Sequence, residues 1–170
     1  MQFHPLTGEF YMSIGDGAYG DTAIVPTDPD RRTNNSSQDT STLLGSFIRL
    51  SMRDTPNAQG LYYDIPTDNP FVNDPNVRDE IWSYGHRNPW RWAFDTEADL
   101  GEDPENQYTI WEAEIGQDGD TRYEEVNIVR KGGNYGWPIC EGTRHRGGVG
   151  GDAGNTESCT GTMTGPTSGY

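Results

Sequence analysis

The sequence predicts an all-β fold of short strands carrying long loops, and three observations predict it. Apolar residues recur in short runs of β-rich or alternating pattern, each bounded by Gly, Pro, Asp or Asn. No segment carries a strong amphipathic helical pattern. Aromatic residues are plentiful (5 Trp, 9 Tyr, 5 Phe), whereas Leu, Ile, Val and Phe together number only 26 of 170. That low aliphatic share with so much charge is shared by disordered chains. The aromatic content argues for a packed core instead, because each Trp or Tyr buries a large area. Many short strands at fairly regular spacing suggest a sandwich, barrel or propeller.

In chain order, Phe3 and Phe10-Tyr11 flank the turn His4-Pro5-Leu6-Thr7-Gly8, so the chain opens as strand, turn, strand. The first full strand is expected within Glu9–Gly15. An irregular stretch from Asp16 to Thr42 follows, and the Ser/Thr-rich piece from Ser36 to Leu44 suits a helical turn. Ser46 to Ser51 alternates apolar and polar residues with period two. Further strands are expected at Glu80–Tyr84, Arg91–Phe94, Tyr108–Ala113 and Glu125–Val129. The strand-turn-strand unit recurs from Trp92 to Leu100 with its return at Tyr108–Trp111, at a period tolerable for propeller blades. A second irregular stretch runs from Thr143 to Tyr170; long loops of this kind are usually functional.

Charge and cysteine content narrow the function. With 27 Asp and Glu against 12 Lys and Arg, the net charge is −15. Such a chain repels phosphate backbones, which argues against nucleic acid as a partner. No apolar run approaches the roughly 20 residues that a membrane-spanning helix needs. Residues 1–5 have neither the basic nor the apolar region of a signal peptide. The two cysteines, Cys140 and Cys159, lie outside any zinc-binding spacing. They fit either one disulfide, contributing on the order of 3 kcal/mol, or two buried thiols. A disulfide would place the protein in the periplasm or outside the cell.

Three clusters have the residue types of a binding site. In Ile14-Gly15-Asp16-Gly17 a strand runs into a Gly/Asp loop, where Asp16 and Gly17 either approach a ligand or form a solvated turn. In Tyr84-Gly85-His86-Arg87-Asn88-Pro89-Trp90-Arg91-Trp92, a guanidinium and an amide are framed by Gly and Pro. That frame suits a planar polyanion; the alternative is an Arg stacked between Trp90 and Trp92. His86 has no nearby group in the sequence to orient it as a base. The third cluster spans Glu112 to Trp137. Its carboxylates and loop carbonyls suit calcium, although not in an EF-hand, and they equally suit a solvated acidic loop.

Taken together and in order, these segments resemble the glucose/sorbosone dehydrogenase family, soluble PQQ-dependent aldose sugar dehydrogenases. The resemblance rests on Phe10–Gly17, on Asn35–Leu50 (N-S-S-Q-D-T-S-T-L-L-G-S-F-I-R-L) and on Ile65–Phe71 (I-P-T-D-N-P-F). It continues through Glu80–Asn88 (E-I-W-S-Y-G-H-R-N) and Glu124–Pro138 (E-E-V-N-I-V-R-K-G-G-N-Y-G-W-P), covering roughly residues 1–142. The combination of Y-G-H-R-N-P with G-G-N-Y-G-W-P is its most specific part.

The resemblance implies a six-bladed β-propeller with PQQ across its axis, of which residues 1–170 form about three blades, incomplete at both ends. It implies oxidation of an aldose at the anomeric carbon, with the electrons leaving to an acceptor. By position, Arg87 and Asn88 would contact PQQ, with Asp16 and Gly17 on the substrate-side loop. The carbonyls of Gly116 and Gln117 would hold the calcium beside PQQ, and Glu125 with the Tyr135 carbonyl would hold a second calcium. His145 stands about where a further carboxylate ligand would be expected. The family's catalytic His would precede this chain and His4 is not its equivalent, so the chain alone is expected to be inactive without the remaining blades. Two other readings are a non-catalytic propeller that binds a protein or glycan, and a calcium-stabilised extracellular structural domain.

Overall fold

A computed structural model describes residues 1–17, 36–96, 109–116, 123–142 and 144–145. The described chain has ten strands and one short 3-10 turn, and no α-helix among the described residues. The strands are β1 (Gln2–Phe3), β2 (Phe10–Ile14), β3 (Ser46–Met52), β4 (Tyr63–Asp64) and β5 (Ile81–Tyr84). They continue as β6 (Pro89–Asp95), β7 (Thr109–Glu114), β8 (Glu125–Val129), β9 (Cys140–Glu141) and β10 (Arg144–His145). The 3-10 turn, Ser36–Gln38, falls in the Ser/Thr-rich piece expected to turn.

These strands make three antiparallel sheets. In the first, β3 is central: β2 runs along one edge, while β5 and then β4 share the other. One residue of irregularity at Phe47/Ile48 lets β3 serve both partners on that edge. The second sheet is β6-β7-β8, and the third is the short β9-β10 pair. The opening turn is closed by His4, whose Nδ1 accepts from the Thr7 amide at 3.1 Å while its own amide donates to Glu9 O at 2.7 Å. His4 therefore shapes the β1-β2 hairpin, as expected.

The first two sheets pack through an aromatic core. Tyr11, Phe47 and Trp82 from the first meet Ile110 and Val129 from the second, with Trp92, Phe94 and Tyr135 against them. The rings meet edge to face: Phe47–Trp92 at 5.3 Å, Tyr11–Phe94 at 5.2 Å and Tyr11–Trp82 at 5.5 Å. This geometry suits the aromatic quadrupole and lets few aliphatics suffice. Cys140 is buried in β9, and Cys159 lies outside the described residues.

Candidate functional site

The motif segments converge because their backbones interlock. The Tyr84 amide donates to Gly133 O at 3.0 Å, and the Tyr135 amide returns the bond to Tyr84 O at 2.9 Å. Trp137 N donates to Gly85 O at 2.8 Å, and Gly85 N to Ser37 O at 3.0 Å. Gly85 has φ +82°, and a Cβ there would lie 2.7 Å from Gly136 N and 2.8 Å from Tyr135 N. Only glycine allows this approach, so Y-G-H-R-N and G-G-N-Y-G-W-P meet at Gly85. Gln38 completes the junction, donating to Trp137 O at 2.7 Å and exchanging side-chain bonds with Asn134.

The first cluster joins the same junction. The Asp16 amide donates to Arg87 O at 2.8 Å, and the Asp16 carboxylate accepts from Trp137 Nε1 at 2.8 Å. Asp16 is buried rather than on a solvated turn, and its side chain braces Trp137. Gly17 packs beside the Leu44 side chain. Arg87 lies over the Trp137 ring at 5.4 Å and donates through Nη1 to Ile115 O at 2.8 Å. Its aromatic partner is thus Trp137, rather than Trp90 and Trp92; Trp90 is exposed and Trp92 packs into the core.

A small pocket open to solvent lies beside this junction, lined by Arg87, Gly116, Tyr123, Glu125, Tyr135 and Glu141 among others. Four residues singled out in the sequence, Arg87, Gly116, Glu125 and Tyr135, therefore share one cavity. Asn88 stands at its edge, its amide donating to Glu114 Oε1 at 3.2 Å and its carbonyl accepting from Ile115 N at 3.1 Å. Gly116 lies so close to the Tyr123 carbonyl that no side chain fits, and a Cβ there would be 2.7 Å from Glu141 Oε1. Gln117 lies outside the described residues. His145 is placed by its backbone, paired with Cys140 across β9-β10.

The walls are rich in buried carboxylates. Glu114 and Glu141 are each only 5% exposed, so these two carboxylates are not part of a solvated loop, whereas Glu124 is exposed. Glu114 Oε1 accepts the amides of Arg87 and Asn88, while its Oε2 accepts from Asn127 at 3.1 Å. Glu125 accepts from the Gly142 amide and from Asn127. Burial, then the nearby Glu114 charge, pushes the Glu125 carboxyl up to about 7.

His86 departs from the sequence reading. The sequence shows nothing nearby to orient it, yet it is fully buried and held on every side. Its Nδ1 is 3.0 Å from Glu112 Oε2, its Nε2 is 3.0 Å from Ser83 Oγ, and its ring stacks on Tyr135 at 4.4 Å. Burial alone would push the imidazole down, but the facing Glu112 and Glu114 carboxylates raise it to about 10. Ser83 lies on β5, three residues before His86, while the carboxylates that orient the ring stand on β7, far along the chain. Their signal was the period-two pattern of Ile110, Glu112 and Glu114, which puts both acids on the face of the buried Ile110. Glu141 had no comparable signal.

Comparisons with known proteins agree with one another. The sequence profile of the family described as Glucose / Sorbosone dehydrogenase matches residues 1–168. The HIPL1 protein of Arabidopsis thaliana is 39% identical over 142 residues, covering 79% of this chain and 17% of that protein. Quinoprotein glucose dehydrogenase B of Acinetobacter calcoaceticus is 30% identical over 140 residues, covering 79% of this chain and 24% of that protein. A solved glucose dehydrogenase structure superposes with TM-score 0.52 at 31% identity, covering 79% of this chain and 29% of that one. The chain thus spans less than a quarter of the length of these two curated relatives. Its sheets are part of a β-propeller, as the sequence led us to expect, and on motif, profile and fold alike the chain belongs to the glucose/sorbosone dehydrogenase family.

Proposed function

We propose that the protein carrying this chain is a PQQ- and calcium-dependent dehydrogenase that oxidises aldoses at the anomeric carbon, and that residues 1–170 supply about three of its blades. The observation that carries this reading is the convergence of Arg87, Gly116, Glu125 and Tyr135 on one cavity, from segments spread over the second half of the chain. The donor set fits both groups. Arg87 offers a guanidinium braced on Trp137 to the carboxylates and carbonyl oxygens of a planar quinone. The oxygens of buried Glu114 and Glu141 and half-buried Glu125 form a hard, anionic wall suited to calcium.

When bound, PQQ supplies a two-electron acceptor for the anomeric C–H, and calcium polarises it as a Lewis acid. The chain's own residues bind and orient. Glu114 fixes the amides of Arg87 and Asn88, so both side chains leave a rigid turn. Asp16 holds Trp137, which in turn backs the guanidinium. By position in the family motifs, Gly116 and Gln117 would offer backbone carbonyls to one calcium, and Glu125 with the Tyr135 carbonyl would hold a second. The relative named a quinoprotein supports the cofactor assignment, and a paired Cys140 and Cys159 would suit a periplasmic or secreted enzyme.

The test is titration of the full-length protein with PQQ in the presence and absence of Ca²⁺, followed by aldose-dependent reduction of an artificial acceptor. Calcium-dependent binding is expected, and Arg87→Ala should weaken it at least tenfold, by about 1.4 kcal/mol or more. Failure of PQQ to bind with Ca²⁺ present would overturn the reading. The isolated 170-residue chain should show no turnover under the same conditions. Among the histidines with described side chains, His4 is committed to a turn and His86 is sealed from the cavity.

A further inference from the structure

Behind the cavity wall lies a second constellation that this function does not use. His86, Glu112 and Glu114 bring one nitrogen and two carboxylate oxygens within 4.8 Å of one another, and all three residues are buried. Glu112 is 1% exposed, yet neither of its carboxylate oxygens has a hydrogen-bond partner among the described residues. His86 Nδ1 shares that condition: it approaches Glu112 Oε2 to 3.0 Å without the alignment of a hydrogen bond. Carboxylates removed from water are costly unless enough positive charge meets them, and here a single imidazole faces two of them.

We propose that His86, Glu112 and Glu114 bind a divalent transition-metal ion of the zinc class. His86 would ligate through Nδ1, Glu112 through both orphaned oxygens and Glu114 through Oε2. Donors about 2.1 Å from such an ion lie roughly 3.0–3.4 Å apart. The observed separations from His86 Nδ1, 3.0 Å to Glu112 Oε2 and 3.8 Å to Glu114 Oε2, bracket that spacing closely. Four donor atoms satisfy zinc, whereas calcium takes six to eight oxygens and no imidazole is among its usual ligands.

The surroundings match those of a ligating set. A metal-bound His is held by a partner on its other nitrogen, and here Nε2 lies 3.0 Å from Ser83 Oγ. Glu114 is oriented by Asn127 on Oε2 and by the Arg87 and Asn88 amides on Oε1. Tyr135 stacks on the imidazole at 4.4 Å and Phe47 closes its edge at 5.0 Å, so the ring cannot turn away. With two carboxylates and a neutral imidazole, a divalent ion brings the buried cluster to zero net charge. Being enclosed, the ion would enter as the chain folds and exchange slowly. The inference does not rest on the PQQ reading.

The experiment uses the untagged full-length protein from cells grown with Zn²⁺ or with Co²⁺. Mass spectrometry of the purified protein should find about one Zn per chain, retained on dialysis against excess Ca²⁺. The cobalt form should show visible d–d absorption. Glu112→Gln should lower the retained zinc at least tenfold. X-ray absorption of the wild-type protein at the zinc edge should show nitrogen and oxygen donors with imidazole scattering and no sulfur, which decides the matter even if the variant does not fold. Folded wild-type protein with less than a tenth of an equivalent, a first shell with sulfur or without imidazole, or full zinc retention by Glu112→Gln would each overturn the proposal.

Discussion

Two regions of this molecule bury charge, and they handle it in opposite ways. In the first sheet, Arg49 is buried beneath acidic partners that balance it. Its Nε and Nη2 meet Glu9 Oε2 at 2.6 and 2.5 Å, its Nη1 meets Asp68 at 2.9 Å, and its guanidinium lies over Trp82 at 5.1 Å. Asn69 braces the same strand by donating to Arg49 O at 3.0 Å and Asp79 O at 2.9 Å. That network closes on itself. Around the cavity, Glu114, Glu125 and Glu141 are gathered with Arg87 as the one arginine among the described lining residues, and its Nη1 is spent on a backbone carbonyl. A protein that completes one buried charge network and, among the described residues, gathers more carboxylates than cations in another has built the first for stability and the second for ligands.

The largest effect that sharpens this contrast is expected from Arg49→Met. Removing the cation strands Glu9 in a partly buried site, and breaking a buried pair in this way costs about 3–5 kcal/mol. Chemical denaturation should show the midpoint falling with little change in slope. A loss below about 1 kcal/mol would mean that the network contributes little, and the contrast would fail. Next comes Gly85→Ala. The positive φ and the approach of Gly136 N and Tyr135 N leave no room for a methyl group. We expect about 2–4 kcal/mol of destabilisation from backbone strain and overpacking combined. The cavity should be disturbed with it, read as a changed environment for Trp137 in its fluorescence.

The two regions also differed in how far the sequence revealed them. Strands β2, β3, β5, β6, β7 and β8 were legible because period-two alternation and bounding Gly, Pro and Asp act locally. The two-residue strands β4, β9 and β10 are too short to carry any period, and only pairing defines them. At the site, Arg87, Gly116, Glu125 and Tyr135 were found through motif resemblance. Their company was not: Glu114 under the Arg87 amide, Asp16 against Trp137 and Glu112 against His86 are contacts between residues 26 to 121 apart. No spacing rule reports such pairs. Only the inward register of Glu112 and Glu114 left a trace, because an acid in phase with a buried Ile is out of place unless something meets it.

A smaller effect of opposite sign is expected on the cavity side. Glu125→Gln keeps the shape and the acceptor for the Gly142 amide but removes one charge from a crowded set. Without added metal its stability should be unchanged or raised by up to about 1 kcal/mol, as a buried charge is relieved. The thermal shift produced by millimolar Ca²⁺ in the full-length protein should then be lost, since binding to the folded state alone is what raises the melting temperature. A strong loss of stability in the absence of metal would show that the cavity carboxylates, like Arg49, are there for the fold.

The smallest effect is the acid limb of stability, which belongs to the first region and its neighbours. Burial would raise the Asp68 carboxyl, but hydrogen bonding to Arg49 holds it below the usual range. Glu80 is likewise lowered, with Arg78 outweighing its burial. A carboxylate whose folded pKa is depressed contributes stability that is present above its unfolded value, near 4, and is lost as pH falls through the folded one. Stability should therefore decline as pH drops below about 4, and Arg49→Met should flatten the Asp68 share of that decline while leaving the Glu80 share. Asp68 is largely open to solvent, so salt should weaken its share of the limb more than that of buried Glu80. An acid limb equally steep in Arg49→Met would assign it to other carboxylates and remove Asp68 from the network's working partners.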